Sequence, residues 1–167
     1  MRDSMFFVLA IGTLSACGPR SAPEVHTRAN QHGDTAFSAL QERGGAAMGV
    51  DQYTSTHRFD ALPDGGRIEL QSIEGGSVEV AQIREHLQQI AIAFAAGDFS
   101  TPAFVHMRKM PGVAVMAREK AKITYRFDSL PRGGEIRITT HAPEALAAVH
   151  QFMAAQRGDH RAGGHSH

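Results

Sequence analysis

The sequence has one cysteine, no tryptophan and no excess of either charge. The cysteine count and the charge balance each exclude a class of structure or partner. A lone cysteine cannot form an internal disulfide. Lysine plus arginine balance aspartate plus glutamate at 17 each, which leaves no basic field for nucleic acid. The apolar run from Phe6 to Leu14 is shorter than the roughly 20 residues of a membrane-spanning helix.

Known catalytic motifs are also missing. The chain has no Gly-x-Ser-x-Gly elbow, no Gly-x-Gly-x-x-Gly and no phosphate loop. Asp60 and Asp128 precede two similar turns, where capping of the turn explains them better than a catalytic pair. We therefore predict no catalytic residue and a protein that is not an enzyme, with an enzyme lacking a recognisable motif as an alternative.

The N-terminus has the layout of an export signal. In "MRDSMFFVLAIGTLSAC" a basic residue precedes an apolar run and small residues, which predicts a signal peptide over residues 1–16. The stretch Leu14-Ser15-Ala16-Cys17 resembles the lipobox of bacterial lipoproteins. The resemblance implies that Cys17 is acylated and anchors the protein in the cell envelope, facing the periplasm. Gly18 after the cysteine implies the outer membrane. The alternative is an ordinary signal peptide with a chance cysteine.

Composition divides the remaining chain into three parts. Residues 17–33 lack periodicity and are rich in proline, glycine and polar residues, which predicts a lipidated flexible tether. Residues 34–156 have the size of a single domain. Residues 157–167, "RGDHRAGGHSH", predict a disordered tail. Its His160, His165 and His167 would give incidental affinity for metal ions.

One segment of the chain occurs twice. The stretch "THRFDALPDGGRIELQ" at residues 56–71 and the stretch "TYRFDSLPRGGEIRIT" at residues 124–139 share nine of sixteen positions. Alternating apolar residues flank each Leu-Pro-x-Gly-Gly, which predicts a β-hairpin. Proline presets φ and glycine accepts positive φ, so the predicted turn residues are Pro63, Gly65, Gly66, Pro131, Gly133 and Gly134.

An apolar stripe at helical spacing follows each hairpin. In the first stripe Val80, Ile83, Leu87, Ile90 and Phe94 recur every three or four residues. We predict an α+β fold made of two duplicated hairpin-plus-helix units, about 34–97 and 98–156, related by a pseudo-twofold axis. A shared core is expected because neither unit can bury its apolar face alone.

Candidate ligand residues lie where the two halves differ. His57 occupies an inward position that holds Tyr125 in the second half, and His86 lies on the first helix. The joining segment adds His106 and Met107. Imidazole and thioether groups together suit copper or zinc, so these four residues form a candidate metal site. Each of them also fits a packing or surface role, because no defined ligand spacing is present.

These observations predict an envelope lipoprotein that binds a small ligand or a Cu or Zn ion at the seam between the repeats. The alternative is a structural or assembly module that engages another envelope protein. The phrases "GVDQYTSTHRF" and "GDFSTPAFVH" are similar to those of uncharacterised secreted bacterial proteins. That resemblance implies an extracytoplasmic setting and no particular activity.

Overall fold

The computed structural model describes residues 25–49 and 51–162, and over these residues the chain has the predicted α+β fold. The described elements are five α-helices, four strands and one 3-10 turn. In chain order they are α1 (Val25–Met48), β1 (Ser55–Leu62), β2 (Gly65–Ser72), α2 (Ser77–Ala96), α3 (Ser100–His106), α4 (Val113–Arg118), the 3-10 turn Lys120–Lys122, β3 (Ile123–Leu130), β4 (Gly133–Thr140) and α5 (Pro143–Asp159).

The four strands form one antiparallel sheet in the order β1-β2-β4-β3. Both predicted hairpins are present, and each closes with a two-residue turn, at residues 63–64 and 131–132. At the centre of the sheet β2 pairs with β4, with Ile68 opposite Ile136. Two further bonds cross between the hairpins: Thr140 N–H donates to Asp64 O, and Ser72 N–H donates to Arg132 O. Origin of the halves by duplication stays a prediction.

The glycines after the turns have a different role from the one predicted. They are the first residues of β2 and β4 and not turn residues, and three of them, Gly66, Gly133 and Gly134, have no positive φ. A Cβ on Gly133 would lie 2.0 Å from Leu70 O, and one on Gly65 would lie 2.0 Å from Ile138 O. Glycine is therefore required because the two central strands approach too closely for a side chain.

Helices α2 and α5 cover one face of the sheet and supply most of the core. Helix α2 buries the predicted stripe and ends at Gly97, whose φ of 83° is the left-handed conformation that glycine adopts freely. Helix α5 begins with Pro143 in its first turn and buries a stripe that includes Val149, Phe152 and Met153. Each helix packs mainly over the other hairpin, α2 over β3 and β4, and α5 over β1 and β2. The exchange ties the two halves into one core.

The opposite face of the sheet is polar. The guanidinium of Arg67 lies 2.6 Å from the carboxylate of Asp60 and 3.8 Å from that of Glu135. This alternation of signs keeps the open face solvated, as is usual for an antiparallel sheet with one covered side.

Two predicted boundaries are wrong. Helix α1 begins at Val25, so the second part of the predicted tether, 25–33, is helical. Helix α5 continues to Asp159, and His160 follows it as the C-cap, so the predicted tail begins too early. Both helices have tertiary contacts that composition does not reveal: α1 packs against α3, and α5 packs along β1.

Candidate functional site

A cavity of about 90 Å³ lies between the inner face of β1 and β2 and the surrounding helices. Its apolar lining comes from both strands and from α1, α2, α3 and α5, and it includes Met48, Phe59, Ile68, Leu70, Leu87, Ile90, Phe94, Val105 and Phe152. A single water needs roughly 15 Å³ on the same measure, and an engineered apolar cavity of about 150 Å³ binds benzene. The space therefore suits a molecule of a few heavy atoms.

Four imidazoles interrupt the apolar lining. They are His57 on β1, His86 on α2, His106 at the end of α3 and His160 after α5. The other polar lining residues are Gln52, Gln156 and Thr101, and none of the described residues that line the cavity is an Asp, Glu, Lys or Arg. The cavity thus holds a cluster of titratable bases without a carboxylate on its wall.

His160 is the central ring of this cluster. It stacks on His57 with a centroid separation of 5.1 Å and an interplanar angle of 14°. The edge-on ring of His106 lies 5.1 Å away, and the ring of Phe59 lies 5.3 Å away. The C-terminal end of α5 is therefore fixed against β1 and α3 by ring contacts.

His106 has both ring nitrogens engaged by α5. Its Nδ1 lies 2.7 Å from Oδ2 of Asp159, and its Nε2 lies 2.9 Å from the side-chain amide of Gln156. An amide can present either its oxygen or its NH₂ group, so Nε2 can donate to Gln156 or accept from it, while Nδ1 faces the Asp159 carboxylate at ion-pair distance without an aligned hydrogen bond. Arg108 also donates to Asp159, over 2.6 Å. His106 is thus a positioned wall residue with no nitrogen left for a ligand.

The other three imidazoles have free polar atoms. Within the described part of the chain, no hydrogen bond is formed by the side chains of His57, His86 or His160. The side chain of Gln52, only 4% exposed, also has an amide oxygen without a partner among the described residues. The buried oxygen of Gln52 requires a hydrogen-bond partner, and the half-buried rings of His57, His86 and His160 have nitrogens free to bind one, so a ligand in the cavity can pair with these groups.

Burial keeps these imidazoles neutral. It lowers the pKa of His57 to about 4, with a smaller contribution from the nearby His86. It lowers the pKa of His86 to about 4 and that of His160 to about 3, the latter helped by repulsion from His57 and His106. Burial also lowers the pKa of His106, although the Gln156 and Asp159 contacts oppose that shift. At neutral pH the cavity therefore presents neutral imidazoles that can donate or accept a hydrogen bond.

Three consecutive residues, Asp159, His160 and Arg161, connect the elements around the partly open cavity. Asp159 binds His106 at the end of α3, and His160 stacks on β1. Arg161 reaches α1, where it donates to Asp34 over 3.0 Å and lies 4.3 Å from the ring centroid of Phe37. We call residues 159–161 the clasp, because each of them contacts a different element around the cavity.

A second, more open cleft of about 340 Å³ lies outside the clasp. His106 lines both spaces and so separates the cleft from the inner cavity. The cleft is also lined by three arginines and one carboxylate, Arg43, Arg108, Arg161 and Asp159. Its polar lining is therefore predominantly basic.

The structure gathers most, but not all, of the residues predicted as metal ligands. His57, His86 and His106 line one cavity. Met107 does not join them: its side chain is 69% exposed and it is the left-handed C-cap of α3. His160, predicted as an incidental tail ligand, belongs to the cavity. His160 continues the apolar stripe of α5, with the spacing Val149, Met153, Gln156, His160. This spacing could have identified His160 as a cavity residue.

Several predicted sites lie outside the described residues, namely Cys17, His165 and His167. Across residues 25–49 and 51–162, no group of three or more His, Cys, Asp or Glu side chains is placed to hold a metal ion. In the same part of the chain, no helix has the length and apolar character needed to cross a membrane.

Comparison with protein-family models, curated proteins and solved structures gives no match for this chain. The proposed function therefore rests on the geometry of the cavity.

Proposed function

We propose that the protein binds a small, largely apolar molecule in the histidine-lined cavity, without transforming it, and that it does so as a lipid-anchored protein of the cell envelope. The observation that supports this proposal is the combination of apolar walls with imidazoles that lack partners. Apolar walls favour an apolar ligand through removal of its surface from water, and a few polar groups fix its orientation.

A metal ion is the rival occupant, because neutral imidazoles are also metal ligands. Two observations weigh against it. Both nitrogens of His106 are engaged by α5. The rings of His57 and His160 are stacked, and ring nitrogens donate in the plane of the ring, so two stacked rings do not aim at one ion. Copper or zinc binding therefore serves as a competing outcome in the experiment below.

Filling the cavity tests the proposal. Ala47 lines the cavity from α1, whereas Ala46 on the same helix is exposed. We expect Ala47→Phe to occupy the space and abolish binding of 1-propanol and xenon, followed by NMR of the methyl groups of Leu70 and Ile90. Ala46→Phe is the matched control and should bind as the unaltered protein does. If these methyl signals do not respond to any apolar probe, the proposal is wrong.

Titration with metal ions tests the rival occupant. The same methyl signals are followed during titration with Zn(II) and Cu(II), in a chain carrying His165→Ala and His167→Ala to remove ligands beyond the described residues. Submicromolar zinc or copper binding that His57→Gln abolishes, without any response to xenon or 1-propanol, would replace the proposed function with a metal site.

A further inference from the structure

We infer that the ligand carries one acidic group, a carboxylate, which the cavity receives between the imidazoles of His57 and His160 together with a proton. This inference rests on the proposed function and names its ligand class. It starts from the charges of the wall: four imidazoles and no acidic or basic side chain among the described lining residues. Apart from His106, which lies 2.7 Å from the Asp159 carboxylate, these bases have no counter-charge, and a carboxylate that binds with a proton from solvent supplies it.

The free hydrogen-bonding capacity agrees with this ligand class. The side chains of His57, His86 and His160 form no hydrogen bond within residues 25–49 and 51–162. The buried Gln52 side chain adds an amide oxygen without a partner among the described residues, while its NH₂ group donates to the sulfur of Met48 over 3.6 Å. A carboxyl group has two oxygens, so it can bind two separate groups at once.

The stacking of His57 on His160 favours a carboxylate over a metal ion. Two stacked rings place their N–H groups and lone pairs in separate, nearly parallel planes. A single ion cannot lie in both planes. Two carboxylate oxygens, in contrast, can each accept from one ring.

A carboxylate is also favoured over a neutral polar group. A neutral alcohol could form one hydrogen bond with a neutral imidazole, but it would leave the remaining rings unpartnered and would not use their basicity. A carboxylate that binds together with one proton can share that proton with an imidazole nitrogen, and a hydrogen bond with an ionised partner is stronger than a neutral one. The proton comes from solvent, because the free acid is ionised between pH 6 and pH 8, and it lies between a carboxyl oxygen and a ring nitrogen.

The charged groups around the cluster are consistent with an acid entering from outside. On the α3 and α5 side, Asp159 is already shared by His106 and Arg108. On the α1 side, Arg43 donates to Val105 O, and Arg161 reaches Asp34 from the clasp. Of the three arginines that line the outer cleft, Arg108 is paired with Asp159 and Arg161 with Asp34, so the remaining positive charge is that of Arg43, which favours an anion near the wall that His106 forms.

The volume of the cavity limits the size of the acid that can bind. A space of about 90 Å³ is smaller than the engineered cavity of about 150 Å³ that binds benzene. Carboxylic acids with fewer heavy atoms than benzene are therefore the appropriate probes, and single-ring or long-chain acids are not. Acetate and propanoate are the acids used in the test, with ethanol and 1-propanol as neutral partners of similar shape.

The test measures affinity and proton uptake together. The full chain is titrated by calorimetry with each of the four probes between pH 6 and pH 8, in two buffers that differ in ionisation enthalpy. We expect acetate or propanoate to bind at least tenfold more tightly at pH 6 than its neutral partner. We also expect uptake of about one proton, so affinity falls about tenfold for each unit of rising pH.

Single substitutions test whether His57 and His160 cause the preference for the acid and the proton uptake. His57→Gln and His160→Gln should each remove most of the preference for the acid and most of the proton uptake. His141→Gln is the matched control, because His141 is exposed and does not line the cavity. It should leave both quantities unchanged.

The possible results separate the two proposals. Equal binding of acid and alcohol, without proton uptake, overturns the carboxylate inference and leaves the proposed function standing. Absence of binding by all four probes, together with no response to xenon, overturns both. Acid binding that His57→Gln and His160→Gln leave intact overturns the placement of the acid between these two rings.

Discussion

The imidazole of His160, just after the last described helix, stacks on the imidazole of His57 in the first strand, with ring centroids 5.1 Å apart. This contact joins the beginning of the sheet to the end of α5 at the cavity. Both rings are neutral at pH 7, because burial lowers the pKa of His57 to about 4 and that of His160 to about 3. Protonation would place two positive charges face to face.

Acid should therefore weaken the fold in a defined window. The folded-state pKa values of His57, His86 and His160 lie below the value of 6.5 for the unfolded chain. The unfolded state binds more protons between about pH 6.5 and pH 4, so stability is complete above pH 6.5 and falls as the pH falls. Each linked proton contributes about 1.4 kcal/mol per pH unit. After allowing for partial exposure, we expect a loss on the order of 3 kcal/mol between pH 7 and pH 5.

Urea denaturation at a series of pH values measures this loss. His57→Gln and His160→Gln should flatten the dependence, whereas His141→Gln, at an exposed position, should not. A free energy of unfolding that stays constant from pH 7 to pH 5 would contradict burial of neutral imidazoles.

Gly133→Ala should destabilise the protein by about 3 kcal/mol, because the added Cβ would lie 2.0 Å from Leu70 O and would force β2 and β4 apart. Gly158→Ala is the control. A Cβ there meets no atom within 4 Å, and alanine favours the helix, so we expect a gain of about 0.5 kcal/mol. Thermal melts measure the stability of both variants. Equal effects of the two substitutions would show that the central strands do not approach as described.

Arg84→Lys should cost about 1 to 2 kcal/mol. The guanidinium of Arg84 on α2 donates to Gly133 O over 3.0 Å and to Leu130 O over 2.7 Å, so it fastens the helix to the second hairpin. Lysine lacks the planar fork that reaches both carbonyls. Arg126→Lys on the open face of the sheet, where the side chain is 69% exposed, should change the free energy of unfolding by less than about 0.5 kcal/mol. Chemical denaturation that finds the two substitutions equivalent would contradict this role.

Ending the chain after Asp159 should open the cavity, because it removes the ring contacts of His160 and the contacts of Arg161 with Asp34 and Phe37. Amide hydrogen exchange should become faster in residues 34–48 of α1. A chain that ends after Ala162 keeps the clasp and should exchange as the full chain does. Identical protection of α1 in the two truncated chains would show that the clasp does not hold this helix.

Cys17→Ser should prevent acylation and release the protein from the membrane fraction, since each buried methylene of a lipid chain contributes about 0.8 kcal/mol to anchoring. Mass spectrometry of the protein from the cell envelope gives the direct check. An unmodified Cys17 in the mature protein would overturn the lipoprotein proposal.

Much of the fold could be predicted from local patterns. Alternation in residues 56–71 and 124–139 identified two hairpins, and the spacing of Val80, Ile83 and Leu87 identified the buried face of α2, because burial imposes these periods on the residues themselves. The reason for the paired glycines was missed. It lies in the contact between β2 and β4, which no single hairpin contains.

The residues of the candidate site were likewise predicted only in part from the sequence. By itself the sequence determined the secondary-structure pattern, the α+β class, and the fact that His57 and His86 lie on elements that contribute to one core. Only the tertiary structure decided that His160 belongs beside them and that Met107 does not. Side chains of distant elements meet through packing: α5 crosses the first hairpin and carries His160 to β1, whereas the left-handed end of α3 turns Met107 to solvent.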